Sequence, residues 1–454
     1  MIKLTFSQLA TIVDGRLVGS DASFDSVFTD SRKPLASGLF IALKGDNFDG
    51  HHYVDSLSGQ AAAALVSSEQ ETMLPQVVVT DTRVALGKLG AWLCAQVAPY
   101  RIAITGSVGK TSVKEMTASV FALAGNTLAT AGNFNNDLGV PLTLLRLEPE
   151  HEYGVFELGA NHIGEIDYTS NLVKPNVAMI NNIQAAHLEG FGSIEGVLNA
   201  KTEIFNHLVD SGHAVVNLDD HKAGAIIERL ANHQVITFSS RQRADLMATN
   251  VHPVCHGCYQ FSLNRGSESV DVTLPVIGRH QVDNALAAAA LATAAGLSLE
   301  LIAKGLERMQ PVKGRMRPMT LTPSLTILDD SYNASIAATE AALDTLAECE
   351  GITALAFGDM GELGEDAEQL HRQVGEYATK KGIDQVFCVG TLSRSVAEVH
   401  PSARHFDSQS ELHQAIIEWL HGQQQPVTLL VKGSRSAAME RVIDALGTHF
   451  GEQN

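Results

Sequence analysis

Short apolar runs alternate along the chain with stretches in which apolar residues recur at helical spacing. In the first part, Thr5–Val13 has helical spacing, and three compact apolar runs have the length of strands. Asp81–Ala98 continues with helical spacing. The strands are predicted at Leu39–Leu43, Ala62–Val66 and Val77–Val79. The pattern predicts a small mixed α/β domain over residues 1–81, followed by a connecting helix.

From Tyr100 onward, strands and helices alternate regularly. Such alternation is typical of a parallel sheet with helices on both faces. The predicted strands are Arg101–Thr105, Gly154–Leu158, Val177–Asn181, His213–Asn217 and Val235–Phe238. Two later stretches, Val251–Leu263 and Ser269–Leu274, alternate with period two and predict an antiparallel appendage, and Ala285–Ala295 predicts a packed helix. We assign this central domain to residues 82–313.

A second alternating series begins after Pro311-Val312-Lys313-Gly314, so we place a third domain at residues 314–454. Its predicted strands are Leu325–Leu328, Thr353–Phe357, Gln385–Val389 and Val427–Val431, and its predicted helices are Ile336–Leu346, Glu368–Lys380 and Ser410–Leu420. This is a second doubly wound sheet. The predicted fold class is α/β in three domains: a small mixed α/β N-terminal domain, a central parallel-sheet domain and a C-terminal Rossmann-like domain.

Composition narrows the possible partners. The chain has 454 residues, 45% apolar and 18% charged, with a formal net charge of −19. Nucleic acid and anionic membranes need a basic surface, so neither is expected as a partner. No leader pattern and no apolar run of about 18 residues stands in the sequence, so we expect no membrane span. The five scattered cysteines suit a reducing compartment, so we expect a cytoplasmic protein, and a monomer because no coiled-coil seam is seen.

The strongest chemical signal follows the strand Arg101–Thr105. A glycine turn there leads into a helix, in the order Gly106, Ser107, Val108, Gly109, Lys110, Thr111 and Ser112. Backbone N–H groups and the helix N-terminus bind phosphate, the lysine reaches the outer phosphates and the threonine hydroxyl binds Mg²⁺. The loop is two residues shorter than the usual form, because Ile104 stands where the first glycine would be. ATP is the expected ligand, and the central domain is expected to be a P-loop parallel-sheet ATPase domain.

Polar residues at other predicted strand ends are the next candidates. Glu157 ends a strand beside the loop and could hold Mg²⁺, although it could equally be an ordinary strand-end carboxylate. From the pattern alone, His187 would be a core or solvated histidine and Lys201 a lysine on a helix surface. Asn135 and Asn136 lie in a polar loop whose amides could contact phosphate or substrate. Asn284 could read a purine edge or help to cap a helix.

In the last domain, three polar clusters each close a predicted strand. They are Asp329-Asp330-Ser331-Tyr332-Asn333, Gly358–Gly364 and Lys432-Gly433-Ser434-Arg435. Lys432 and Arg435 could grip a carboxylate or a phosphate. Each cluster alone could be a solvated turn, but ligands in doubly wound folds bind at the carboxyl ends of the strands.

Together these residues resemble the Mur ligases over essentially the whole chain. The resemblance rests on the shortened Thr105–Ser112 loop, on Glu157, His187 and Lys201, and on the His280/Asn284 pair. The stretches GNFNNDLGVPLTLL, DDSYN, GDMGELG and LVKGSRSAAM resemble one branch of the family closely. The resemblance implies ATP-dependent amide bond formation through an acyl phosphate. The two substrates that would be joined are UDP-N-acetylmuramoyl-tripeptide and D-alanyl-D-alanine.

The resemblance also implies roles for single residues. Gly106–Ser112 would hold the phosphates, Thr111 and Glu157 a first Mg²⁺ ion, and His187 with a carbamylated Lys201 a second. Lys110, Glu157, His187 and Lys201 would form the catalytic set. The nucleotide would also be contacted by Asn136, Asn284, Arg315 and Asp330. The substrates would be bound by Ser31, Arg32, Lys44, Gly45, Asp49, His51, Asn135, Tyr332, Asn333, Lys432, Ser434 and Arg435.

Two positions depart from the family pattern: Gln281 stands where asparagine is usual, and Ser335 where a second asparagine is usual. Other functions remain open from the residues alone. A sibling ligase would add a single amino acid to a muramoyl or folyl acceptor. A non-catalytic P-loop protein would only bind the nucleotide. A GTPase-type switch would carry an Asn-Lys-x-Asp motif, and the chain contains no Asn-Lys dipeptide.

Overall fold

The structure is a computed structural model that describes residues 1–45, 47–184, 188–230, 233–254 and 257–451. These divide into two compact units. Unit 1 comprises Met1–Thr105, Ala124–Met179 and Thr202–Ala214, and unit 2 comprises Gly106–Leu123, Ile180–Lys201 and the chain from Val215. Unit 1 therefore holds the N-terminal sheet. Unit 2 holds the loop Gly106–Ser112, which we call the phosphate loop after its predicted ligand, and the C-terminal sheet.

The N-terminal elements are strands β1 (Leu4–Thr5), β2 (Arg16–Val18), β3 (Ser23–Phe24), β4 (Ser26–Phe28), β5 (Gly38–Ile41), β6 (Ala63–Val66) and β7 (Gln76–Val78), with helices α1 (Phe6–Ile12) and α2 (Thr82–Val97). The main sheet has the order β2-β7-β6-β5-β4, with β4 to β7 parallel. Helix α1 begins in a capping box, in which Thr5 Oγ1 accepts from Gln8 N–H at 3.1 Å. The mixed α/β prediction for this segment is confirmed.

The central strands are β8 (Tyr100–Thr105), β9 (Thr127–Ala129), β10 (Tyr153–Glu157), β11 (Val177–Ile180), β12 (His213–Asn217), β13 (Gln234–Ser239), β14 (Leu246–Pro253), β15 (Cys258–Arg265) and β16 (Glu268–Ile277). The central helices are α3 (Lys110–Phe121), α4 (Gly139–Leu144), α5 (Glu165–Val173), α6 (Leu188–Phe191), α7 (Ile194–Thr202), α8 (Ala223–Arg229), α9 (His280–Ala294) and α10 (Leu299–Glu307). In unit 1, β8 pairs in parallel with β10, and β10 with β9. In unit 2, β14, β15 and β16 form the antiparallel appendage that the alternation predicted.

The C-terminal elements are β17 (Arg317–Thr322), β18 (Leu325–Asp330), α11 (Ile336–Ala347), β19 (Ile352–Gly358), α12 (Ala367–Lys381), β20 (Gln385–Val389), α13 (Arg394–Ala397), β21 (Ala403–Phe406), α14 (Gln409–His421), β22 (Val427–Lys432) and α15 (Glu440–Gly451). The sheet order is β17-β18-β22-β19-β20-β21. All pairs are parallel except β17 with β18. A doubly wound sheet was predicted here, and it is observed.

Both faces of the C-terminal sheet are buried, as the continuous apolar runs predict. Along β18, Ile327 packs into one core cluster and Leu328 into the other. Leu429 and Leu430 divide in the same way on β22. Alternate side chains therefore serve two cores, and the strand ends emerge between them.

One predicted stretch is divided in the structure: Val251–Leu263 was predicted as one alternating stretch, but β14 ends at Pro253 and β15 begins at Cys258. The short strands β1 to β4 and the C-terminal strands β17 and β21 were not predicted. Strand β17 contains Pro318, which is tolerated because β17 lies at the edge of its sheet, and β21 is only four residues long. Where the chain is described, none of the helices has the length and apolar character to cross a membrane.

Helices α3 and α10 approach so closely that one position between them excludes any side chain. A Cβ on Gly305 would lie 2.4 Å from the Cα of Val120, and Ser119 Oγ donates to Gly305 O at 2.7 Å. This contact fixes the helix that follows the phosphate loop.

We expect Gly305→Ala to destabilise the protein by about 1–3 kcal/mol, because the added methyl must push two packed helices apart. The matched control is Gly447→Ala in α15, where nothing lies within 4 Å of the added Cβ and alanine favours the helix by up to about 1 kcal/mol. Thermal and urea midpoints measure both. Equal midpoints for Gly305→Ala and the unsubstituted protein would contradict the close approach.

Candidate active site

The phosphate loop ends at Gly109, where the backbone conformation and the surrounding side chains favour glycine. Gly109 directly precedes α3 and has a φ of 80°, in the left-handed region. A Cβ there would lie 2.6 Å from Nδ2 of Asn181 and 2.7 Å from Oδ1 of Asn284. Backbone conformation and space therefore both require glycine. Helix α3 starts immediately afterwards, with its N-terminal N–H groups at the end where anions bind.

Side-chain amides from the segment after β11 hold the loop in place. Val108 N–H donates to Asn182 Oδ1 at 2.9 Å, and Val108 O accepts from Asn182 Nδ2 at 3.0 Å. The same carbonyl accepts from Asn181 Nδ2 at 2.9 Å. Ser107 Oγ donates to Gln184 O at 3.1 Å and accepts from Gln184 N–H at 2.9 Å. The sequence analysis missed these residues; the available signal was a pair of asparagines directly after a buried strand.

Lys110 lies folded over its own loop. Its Nζ donates to Gly106 O at 2.7 Å and to Ser107 O at 3.3 Å. The ammonium group is a mobile charge on a flexible stem, so it can exchange these carbonyl oxygens for phosphate oxygens by a change of rotamer. Phosphate binding by Gly106–Ser112 stays a prediction.

Asn284 and Gln281 extend the amide network into α9. Asn284 Oδ1 accepts from Asn181 Nδ2 at 3.3 Å, and Asn284 Nδ2 donates to Gln281 Oε1 at 3.0 Å. Both residues are buried. Gln281, the departure from the family pattern, therefore fixes which way the Asn284 amide faces. The expected adenine contact of Asn284 stays a prediction.

Lys201 is a lysine of unit 2 that is almost completely buried. It lies on α7 with only 2% of its surface exposed, and its Nζ is 5.8 Å from the ring centroid of Phe191. Burial lowers the pKa of this amine well below its ordinary value, and the positive charge of Lys110 lowers it further. The periodicity had suggested a surface lysine, which the burial contradicts. His187, predicted beside it, lies outside the described residues.

Glu157 ends β10 in unit 1 and is almost completely buried, at 2% exposure. Its Oε1 accepts from Asn135 Nδ2 at 2.8 Å, and its backbone N–H donates to Thr130 Oγ1 at 3.1 Å. Two predicted site residues, Glu157 and Asn135, are thus in contact. Asn136 instead contacts the start of the following helix α4, where its Oδ1 accepts from Gly139 N–H at 2.8 Å. In the part of the chain described, no three histidine, cysteine or acidic side chains are grouped to hold a metal ion.

The domain boundary brings Arg315 to the phosphate-loop helix. Arg315 Nη2 donates to Thr111 Oγ1 at 3.2 Å, and its Cζ lies 4.1 Å from the ring centroid of Tyr332. Three residues that the resemblance assigns to nucleotide, metal and substrate therefore meet within unit 2.

Asp330 and Lys432 form a buried ion pair where β18 and β22 end. Lys432 Nζ donates to Asp330 Oδ2 and, at 3.1 Å, to Asn333 O. Lys432 is 1% exposed, so its charge is matched inside the domain, as buried charges require. The predicted contacts of these residues with ligands stay predictions.

The other C-terminal candidates form local contacts. Ser434 Oγ lies 3.0 Å from Ser436 Oγ, and Arg435 Nη2 donates to Glu440 Oε1 at 2.7 Å. Hydrogen bonding to Glu440 raises the pKa of Arg435. The Arg435 side chain is largely exposed, which leaves its guanidinium accessible at the strand-end surface.

In the N-terminal sheet, the predicted UDP-sugar residues are partly brought together. Asp49 Oδ1 lies 2.6 Å from His51 Nδ1, and His51 Nε2 accepts from Ser67 N–H at 2.9 Å. Lys44 Nζ is 3.9 Å from Asp49 Oδ2. Hydrogen bonds from His51 lower the pKa of Asp49, most of all the one from its backbone N–H.

Beside that cluster, Gly45 N–H donates to Phe48 O at 3.0 Å. Ser31 is half-buried, and the exposed Arg32 pairs with Asp30 at 2.8 Å. The hydrogen bond from the Arg32 side chain lowers the pKa of Asp30 to about 2.

Asp359 and Met360 of the GDMGELG loop have structural contacts that the sequence did not predict. Asp359 accepts backbone N–H groups of Thr391, Leu392 and Ser393 at 2.9, 3.2 and 2.7 Å. His371, fully buried, accepts Met360 N–H on Nε2 at 2.9 Å and donates from Nδ1 to Ala367 O at 2.7 Å. These contacts hold the loop at the end of β19.

Comparison with known proteins assigns the class. The Mur ligase middle domain matches residues 104–292, and the Mur ligase, glutamate ligase domain, matches residues 314–435. A curated relative from Escherichia coli is 48% identical over 98% of this chain and 99% of its own length. The chain therefore belongs to the Mur ligase family, and the family prediction is confirmed.

Within the family, the full-length relatives agree on one kind of enzyme. The Escherichia coli protein is named UDP-N-acetylmuramoyl-tripeptide–D-alanyl-D-alanine ligase, as is a Bacillus subtilis relative that is 32% identical over 98% of this chain and 99% of its own length. A crystal structure of MurF from Acinetobacter baumannii superposes with a TM-score of 0.94 at 38% identity, covering 98% of this chain and 99% of the other. The three-domain α/β prediction is thereby confirmed.

The contacts of His371 predict a pH-dependent stability. Burial lowers the pKa of its imidazole, so the folded state binds a proton less readily than the unfolded state does. The contribution of His371 is complete above its unfolded pKa of about 6.5 and is lost as the pH falls from there through the folded value, at no more than about 1.4 kcal/mol per pH unit.

We expect His371→Gln to flatten this slope, because a glutamine amide can accept from Met360 and donate to Ala367 without titrating. The matched control is the exposed His162→Gln. Urea unfolding between pH 5 and 8 measures the difference between the variants. An unchanged slope in His371→Gln would show that this ring does not titrate with unfolding.

Proposed function

We propose that this protein uses ATP to join D-alanyl-D-alanine to UDP-N-acetylmuramoyl-tripeptide, releasing ADP and phosphate. The observation that carries the proposal is similarity over 98% of the chain to relatives named UDP-N-acetylmuramoyl-tripeptide–D-alanyl-D-alanine ligase. The hydrogen-bonded phosphate loop supports the use of ATP. The γ-phosphoryl group passes to the terminal carboxylate of the tripeptide, and the amine of the dipeptide displaces phosphate from the acyl phosphate. The product is a pentapeptide.

We assign the steps to the three segments of the chain. Residues 1–81 bind the UDP-sugar part through Ser31, Arg32, Lys44, Gly45, Asp49 and His51. Residues 82–313 bind ATP, and residues 314–454 close over it and bind the dipeptide. The protein acts as a monomer in the cytoplasm, where its nucleotide-linked substrate is available.

The phosphate loop supplies charge and position. Transfer of a phosphoryl group to a carboxylate brings two anions together, and phosphoryl transfer depends on positioning and charge neutralisation. Lys110 stands at the start of α3 with its ammonium against the loop, so it can offset that repulsion. The rigid loop presents the helix N-terminus without reorganisation, which is the condition for electrostatic stabilisation.

We expect Mg²⁺ to be the metal, because the Thr111 hydroxyl and the Glu157 carboxylate are hard oxygen donors of the kind that it prefers. His187 with a carbamylated Lys201 would hold a second ion. A bound Mg²⁺ ion would neutralise phosphate charge. Asn136, Asn284, Arg315 and Asp330 complete the proposed nucleotide site. Asn135, Asn333, Lys432, Ser434 and Arg435 complete the peptide site.

The burial of Lys201 supports its carbamylation. A neutral amine attacks CO₂, forming an N–C bond and releasing one proton, and the lowered pKa of Lys201 favours the neutral form. The product is an anionic oxygen ligand, which the positive charge of Lys110 would stabilise. A charged lysine would be costly at this depth.

The test is phosphate release from ATP with Mg²⁺, with the tripeptide nucleotide and the dipeptide added singly and together. We expect release only with both, and a pentapeptide product by mass. Release with a single free amino acid would assign the protein to a sibling ligase. Nucleotide binding without release under any combination would point to a non-catalytic protein.

We expect Lys201→Ala to lose nearly all turnover and to regain part of it with short carboxylic acids, because a free carboxylate can take the place of the carbamate. The matched control is Lys110→Ala, whose missing cation no carboxylic acid can replace. Phosphate release against acid concentration is the readout. Absence of rescue at every concentration would count against the carbamate.

A further inference from the structure

The backbone is left-handed on both sides of Arg315, and at Met316 this conformation is strained. Gly314 has a φ of 75° and Met316 a φ of 51°, and Arg315 N–H donates to Val312 O at 3.1 Å. A buried methionine rarely adopts a left-handed backbone, so surrounding contacts must hold it there.

Two aspartates at the end of β18 provide those contacts. Gly314 N–H donates to Asp329 Oδ2 at 2.9 Å, and Met316 N–H donates to Asp330 Oδ1 at 3.1 Å. Both carboxylates are buried. The backbone is therefore fixed immediately before and after Arg315, and only the side chain remains to be positioned.

Tyr332 covers that side chain. Its N–H donates to Gly314 O at 3.3 Å, and a Cβ on Gly314 would lie 2.9 Å from the Cβ of Tyr332. The tyrosine ring faces the guanidinium carbon of Arg315 at 4.1 Å, and Arg315 Nη2 reaches Thr111 Oγ1 at 3.2 Å. The planar guanidinium is thus stacked on one side and hydrogen-bonded at its tip.

The N-terminus of α3 carries the positive end of the helix dipole, and Lys110 adds a positive charge on the same turn as Thr111. Arg315 brings a third positive group to this place. A polyanion such as a nucleoside triphosphate bound among these groups would be stabilised by all three. An ordered guanidinium then needs no rearrangement to meet developing charge.

We propose that Tyr332 is a positioning residue that acts through Arg315, stacking on the guanidinium so that it meets the terminal phosphate of the nucleotide. This rests on the proposed function for its substrate, but it gives Tyr332 a role different from peptide binding. The face of the ring carries the effect and the hydroxyl does not.

The test is a double-mutant cycle with Tyr332→Leu, Arg315→Ala and their combination, and Tyr332→Phe is the matched control that keeps the ring. We expect Tyr332→Leu to raise the KM for ATP about three- to tenfold and to lower kcat, leaving the KM for the dipeptide and the tripeptide nucleotide unchanged. Tyr332→Phe should have the same KM for ATP and the same kcat as the unsubstituted protein. In the Arg315→Ala background, Tyr332→Leu should add no further loss.

A shift in the KM for either peptide substrate, or a full effect of Tyr332→Leu without Arg315, would overturn the proposal. So would a Tyr332→Phe variant as impaired as Tyr332→Leu. The same four proteins can be compared by calorimetry for binding of a non-hydrolysable ATP analogue, which needs no turnover. A loss of analogue binding can therefore be told apart from a failure of the proposed reaction. Should Tyr332→Leu not fold, Arg315→Lys, which keeps the charge and loses the planar stack, should weaken analogue binding similarly.

Discussion

The phosphate loop is held by side-chain amides, and the rest of the candidate site depends on that restraint. Asn181 and Asn182 occupy both polar groups of the Val108 peptide. Gln281 and Asn284 continue the same network into α9. A short loop has few internal hydrogen bonds of its own, so neighbouring amides supply the missing ones. The loop is thereby rigid before any ligand arrives.

The C-terminal sheet applies the same principle with carboxylates. Asp359 gathers three backbone N–H groups, and Asp329 with Asp330 clamps the turn that carries Arg315. The second oxygen of Asp330 accepts from Lys432, so one buried charge both holds the turn and balances a cation. Hydrogen bonds to ionised acceptors are roughly twice as strong as neutral ones. The loops at the carboxyl ends of these strands are consequently held in place by buried carboxylates.

Local pattern sufficed for the strands that are buried on both faces and for the glycine turn with its helix, since both have strong sequence signatures. It failed where a role depends on contacts remote in the chain. Lys201 has the spacing of a surface residue, yet neighbouring elements bury it. Asn181 and Asn182 look like a polar strand end until the loop is seen to lie against them. Strand β17 was missed because Pro318 is compatible with a strand only at an edge, which is a property of the assembled sheet.

The crowding around Gly109 has a consequence for inhibitors that occupy the phosphate loop. Any side chain at that position would meet two amides at under 3 Å and a backbone conformation that L residues disfavour. A substitution at Gly109 that kept such a compound out would therefore also disturb the loop itself. Resistance would have to arise from substitutions outside the loop or from changes in uptake, so compounds that rely on this turn present a smaller genetic target.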